Sequence, residues 1–204
     1  MARLVAAQLD CPLHLGRWTR LLVDLNRSIG HDKLMAETSF GIVIPGNAAL
    51  SAAEVAHRIR TYYAPYRAAA TASVASTMQG AGRCLHLSIH SFTPVVDGAV
   101  RDCDMGLLYD PHRPHELAFA RTLRRHLVAR GLRVRMNYPY RGTGDGFTTQ
   151  LRTTLPGSRY IALEIETNQR LLKTAAGTGA MGHILAAALH NVLGAAERQS
   201  TGNQ

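Results

Sequence analysis

The stretch Leu85-His86-Leu87-Ser88-Ile89-His90-Ser91-Phe92-Thr93-Pro94 constrains the fold more than any other. Leu85, Leu87 and Ile89 alternate with His86, Ser88 and His90, the period of a buried strand with one polar face. Thr93-Pro94 ends it, because proline fixes φ and has no amide to give to a ladder. Ligands of α/β sheets sit at the carboxyl ends of strands, so His90 stands where chemistry is usually built.

Strands are also predicted over residues 12–15, 21–25, 105–109, 132–136 and 160–166. Residues 2–9 read as the end of a helix, without a cap before it. Ser51-Ala52-Ala53-Glu54 has capping-box spacing. The helix it opens is expected to run to Met78, with Val55, Ile59, Tyr62, Tyr63 and Tyr66 as its apolar stripe. Pro65 should kink or split it. Further helices are expected over 115–130, 147–155 and 182–198, with a frayed polar tail beyond. Strands alternating with helices predict an α/β layered fold with a mostly parallel sheet, organised as one domain.

A chain of 204 residues, 46% hydrophobic, is long and apolar enough for one core. No apolar run approaches the roughly 20 residues that span a bilayer, and the first residues do not make a signal peptide. The expectation is a cytoplasmic protein without membrane contact. Cys11, Cys84 and Cys103 form no CxxC pair, which argues for small buried side chains rather than disulfides or a cysteine zinc site. The net charge of +9 asks for an anionic partner. The arginines are scattered and aromatics are few, which favours a small acidic substrate over nucleic acid.

Three clusters could carry chemistry. In Ala162-Leu163-Glu164-Ile165-Glu166-Thr167-Asn168, period two places Glu164 and Glu166 on one strand face. A carboxylate desolvated at a strand end suits a general base; the alternative is a pair of solvated charges neutralised by arginines. In Val23-Asp24-Leu25-Asn26-Arg27, an asparagine amide beside a guanidinium fork could grip a carboxylate; the alternative is a turn, where Asp and Asn are common. The glycine-rich loop over residues 137–146 lacks the lysine and spacing of a P-loop and reads as a flexible lid. Tyr138 and Arg141 are its candidates for substrate contact. His86 and His90 lie about 13 Å apart on a strand, too far to share one ion. His90 is the better metal ligand, and His86 reads as a hydrogen-bonded core residue.

Taken in order, these segments resemble the N-formylglutamate amidohydrolase family from about Thr19 to Leu172. The motifs are Arg20-Leu21-Leu22-Val23-Asp24-Leu25-Asn26-Arg27, Ile44-Pro45-Gly46-Asn47, Tyr63-Ala64-Pro65-Tyr66, Ile89-His90-Ser91-Phe92-Thr93-Pro94, Asn137-Tyr138-Pro139-Tyr140 and Ile161-Ala162-Leu163-Glu164-Ile165. The resemblance implies a three-layer α/β sandwich with a mostly parallel or mixed central sheet, similar to zinc carboxypeptidases and aspartoacylases. It implies zinc-dependent hydrolysis of an N-formyl or N-acyl acidic amino acid. Asn26 and Arg27 would hold the substrate carboxylate, His90 would ligate zinc, and Glu164 would activate water. Arg101 would serve the oxyanion or a second carboxylate. The chain departs from the family in having no Glu-His-Gly-Gly-Asn type motif ahead of this region. The expectation is therefore a single domain over 1–204 that is N-terminally truncated and short of zinc ligands. As a whole chain it would instead be a non-catalytic carboxylate-binding protein.

Overall fold

The computed structural model describes residues 1–201, with side chains described as far as residue 195. In chain order the elements are α1 (Ala2–Leu9), β1 (Thr38–Ser39), β2 (Ile42–Val43), α2 (Ala52–Arg58), α3 (Ala64–Ala81), β3 (Cys84–Phe92), β4 (Val95–Val96), β5 (Ala99–Val100), β6 (Met105–Leu108), α4 (Pro114–Val128), β7 (Val134–Met136), α5 (Phe147–Thr154), β8 (Tyr160–Asn168) and α6 (Ala175–Thr201). They group into two compact units. One, the sheet unit, holds Met1–Leu13, Leu85–Gly144 and the chain from Tyr160; the other, the helical unit, holds His14–Cys84 and Asp145–Arg159.

The sheet unit is a mixed α/β structure with strand order β3-β8-β6-β7. Strand β7 runs parallel to β6, with Arg135 opposite Gly106. Strand β8 runs antiparallel to β6, with Ile165 opposite Leu107 and Glu164 opposite Leu108. Leu107, Leu163 and Ile165 face a core shared with Leu123 and Leu127 of α4 and Leu185 and Leu189 of α6. Each such side chain contributes roughly 1.5–3 kcal/mol by leaving water. The alternation predicted for 85–94 matches β3, but the strand lies at a sheet edge and Leu85, Leu87 and Ile89 are only half-buried.

In the helical unit the predicted long helix is split as expected. Helix α2 passes through a π-turn at Ile59–Tyr63 into α3, with Pro65 in the first turn of α3. Ser51 caps α2 by accepting from the Glu54 amide at 3.1 Å. The reciprocal half of the capping box is absent, because the Glu54 carboxylate accepts from Arg58 Nε at 2.9 Å instead. Buried Arg58 also donates to Gly46 O, Leu22 O and Asn47 Oδ1, and Asn47 Nδ2 donates to Leu21 O and Ala36 O. The Pro45-Gly46-Asn47 motif is thus a bonded corner.

Several expectations change. Residues 12–15 and 21–25 form no strand. The second segment turns, because Asp24 Oδ1 accepts from the Asn26 amide and Asp24 N donates to Leu34 O. Helix α6 starts at Ala175 rather than 182. Thr174 Oγ1 accepts from the Gly177 amide at 3.0 Å, and a Cβ at Gly177 would come within 2.4 Å of Leu171 O. The helix also continues to Thr201, through the first half of the predicted tail, whose last three residues lie outside the described ones. Cys84 and Cys103 are buried, but Cys11 is exposed. Among the described residues no helix is long and apolar enough to cross a membrane.

Candidate functional site

The two faces of the sheet differ in chemistry because the side-chain period of a strand is two. With Leu163 and Ile165 turned into the helical core, Tyr160, Glu164 and Glu166 occupy the opposite face of β8. Both glutamates are buried. Glu164 is the fifth of nine residues in β8, not at the strand end where the sequence suggested it. His86, Ser88 and His90 lie on the polar face of the neighbouring β3. His86 Nδ1 is 2.8 Å from the Tyr160 hydroxyl, the hydrogen-bonded role expected for it. His90 Nε2 is 2.8 Å from Ser88 Oγ.

The loop after β7 lies against the same face. Asn137, at φ 48°, accepts at Oδ1 from the amides of Tyr109 and Gly142, each at 3.0 Å, and its own amide donates to Leu107 O. Asparagine tolerates this left-handed backbone. The Tyr138 carbonyl sits so close to Gly106 that a Cβ there would be 1.8 Å from it. Glycine at 106 is what lets the loop approach β6 beside Glu166. The loop expected to be a flexible lid is therefore pinned by hydrogen bonds over its first half. The Tyr138 ring lies 4.0 Å below the Arg135 guanidinium, and Arg141 is exposed. Arg101 NH1 donates to the Tyr140 hydroxyl at 2.9 Å.

Asn26 and Arg27 belong to the helical unit, where their surroundings form a clamp. Asn26 Oδ1 accepts from the Phe147 amide at 2.8 Å, at the start of α5. Arg27 NH1 donates to Asp145 O at 2.8 Å, and the Tyr63 hydroxyl donates to Arg27 O at 2.7 Å. Burial raises the Tyr63 pKa and keeps that donor protonated. Asp24 and Asp145 approach the Arg27 guanidinium at only 3.9 and 4.0 Å, so among the described residues most of its five N–H donors make no hydrogen bond. Asp145 is the organising residue. Its carboxylate accepts from Ser28 Oγ at 2.5 Å and Ser28 N at 3.0 Å, and lies 3.9 Å from His31 Nε2. Burial alone would raise its pKa. The two Ser28 hydrogen bonds, then the His31 and Arg27 charges, outweigh burial and hold it below the ordinary carboxylate value. Buried Arg67 donates to Leu25 O and lies 3.8 Å from the centre of the Phe147 ring. Neither Asp145 nor Arg67 is apparent from the sequence, since their partners are far along the chain. The glycines flanking Asp145 are the only local sign.

A catalytic zinc takes three protein ligands. Among the described residues no three His, Cys, Asp or Glu side chains come together as a metal group, so His90 and its neighbours do not fit such a centre.

The sequence model of the N-formylglutamate amidohydrolases matches residues 1–173. The chain belongs to the N-formylglutamate amidohydrolase family. The match includes the first eighteen residues, which the motifs alone did not reach. A gene product of Agrobacterium tumefaciens has a similar crystal structure, with TM-score 0.83 and 29% identity over 96% of this chain and 76% of that one. The N-formylglutamate amidohydrolase of Ralstonia eutropha shares the fold at TM-score 0.62 and 24% identity, over 90% of this chain and 74% of that one. No curated protein matches the chain by sequence.

Proposed function

We propose that this protein binds an N-formyl or N-acyl acidic amino acid, N-formylglutamate above all, and hydrolyses its amide bond. Family membership supports the substrate class. The observation that carries the reading to residues is the polar sheet face, where buried Glu164 on β8 and His90 on the adjacent β3 are set opposite the helical core. In this reading Glu164 takes a proton from the attacking water and delivers it to the leaving amine. The open donors of Arg27 beside Asn26 hold the substrate carboxylate. Tyr138, Arg141 and Arg101 contact the rest of the substrate, Arg101 at the oxyanion or a second carboxylate. The three-layer, carboxypeptidase-like arrangement and the zinc dependence expected from sequence belong to the same proposal. Zinc binding needs ligands beyond His90.

A second reading is favoured by the absence of a ligand cluster among the described residues. The chain then binds the acidic amino acid derivative without turning it over. Calorimetric titration with N-formylglutamate, paired with an assay for released formate, separates the two. Hydrolysis predicts both signals, with binding weakened at least about tenfold in Arg27→Ala, the value of one charged hydrogen-bonded contact. Saturable binding without formate supports the second reading. Absence of binding overturns both.

A further inference from the structure

On the outer edge of the sheet unit, α4 and β7 enclose an open groove of about 910 Å³ lined by Arg121, Arg124, Arg125 and Arg135 and floored by Val134 and Met136. Among the described residues no carboxylate lines it. Three other arginines of this unit meet acids: Arg113 pairs with Glu116, Arg133 with Asp102 and Arg170 with Asp104. Among the described residues none of the four groove arginines makes such a pair, and all four are exposed. Arg121, Arg124 and Arg125 follow one another at helical spacing on one face of α4, and like charges so placed repel. Arg135 projects from the middle of β7 and is braced 4.0 Å above the Tyr138 ring.

We propose that this groove binds a multiply charged phosphate anion. Planar guanidinium forks match phosphate oxygens in pairs, and a bound anion would relieve the repulsion among them. An extended acidic peptide added to the sheet fits less well. Strand β7 has only three residues, and Arg124 Nε already occupies the Val134 carbonyl at 3.2 Å. That contact blunts the free edge. The anion can be a small polyphosphate or successive phosphates of a nucleic-acid strand, since both present the same clustered charge. None of Arg121, Arg124 or Arg125 takes part in the proposed hydrolysis, so the groove stands or falls separately from it.

The probe is inorganic tripolyphosphate, titrated calorimetrically into the full chain. Saturable binding is expected, weakened at least about tenfold in R121Q/R125Q, which removes two charged contacts. The control R3Q/R17Q removes the same charge from exposed positions elsewhere and should bind like the parent. Circular dichroism checks that both variants fold. If R121Q/R125Q does not fold, R121K/R125K keeps the charge but loses the forks, and should still weaken binding. Single-stranded oligoribonucleotides of increasing length identify the source. Affinity that climbs with length and falls steeply with salt assigns a nucleic-acid strand; affinity no better than tripolyphosphate assigns a small anion. Both outcomes uphold the groove. Absence of saturable binding, or equal weakening in the groove and control variants, overturns it.

Discussion

Asp145→Asn tests whether the clamp around Arg27 is held as the geometry implies. The carboxylate accepts two hydrogen bonds from Ser28, at 2.5 and 3.0 Å. The amide can accept one and presents an N–H to the other donor. A hydrogen bond to a charged group contributes roughly 1.5–3 kcal/mol. The Asp145 side chain is 28% exposed, so water screens part of this, and a loss of about 2 kcal/mol is expected. The pH dependence follows from the direction of the pKa shift. The folded state lowers the Asp145 pKa, so its stabilisation is complete above the unfolded value of about 4 and is lost as pH falls through the lowered folded value. Urea unfolding followed by Trp18 fluorescence reports on this unit, because Trp18 is the only tryptophan and packs against Tyr62. The gap between parent and variant should be full at pH 7 and shrink in acid. Binding of N-formylglutamate should weaken as well, since Arg27 hangs on the Asp145 carbonyl. Equal stability at pH 7, or a gap that stays constant into acid, would mean that the Asp145 carboxylate does not hold the clamp.

Two other substitutions probe the scaffold. Arg58→Met deprives Gly46 O, Leu22 O and Asn47 Oδ1 of their buried donor, and should cost about 3 kcal/mol in the same unfolding assay. Gly106→Ala drives a methyl group into the Tyr138 carbonyl, so a loss of about 1–3 kcal/mol is expected, with a rise in KM for any substrate held by Tyr138.

What the sequence revealed and what it hid divide along physical lines. Strands β3 and β8 were legible from the alternation of their apolar residues, β6 as a short apolar run, and helix α4 from the prolines before it and Gly131 after it. Pro65 announced the split between α2 and α3. The segment 21–25 misled because Leu21, Leu22, Val23 and Leu25 resemble a strand, while Asp24 and Asn47 hold it as a turn through contacts that composition does not display. The start of α6 was hidden because Gly177 and Gly179 look like helix breakers, although Gly177 is needed for its close approach to Leu171. At the site, alternation placed Glu164 and Glu166 on one face, and Asn26 stands beside Arg27 simply as its neighbour in the chain. The residues that position them, Asp145 with Ser28 and Asn137 with Gly106, act through partners remote in sequence or through backbone geometry, neither of which leaves a periodic trace.

The measurement that bears most directly on the central claim is formate release from N-formylglutamate by the parent protein and by Glu164→Gln, each supplied with zinc and assayed side by side. Turnover by the parent is expected, with its loss in the variant by at least a factor of about 100, the contribution of a positioned general base, and with substrate binding retained. Formate released equally by both proteins would remove Glu164 from the chemistry. A parent that binds the substrate and never releases formate would contradict hydrolysis itself.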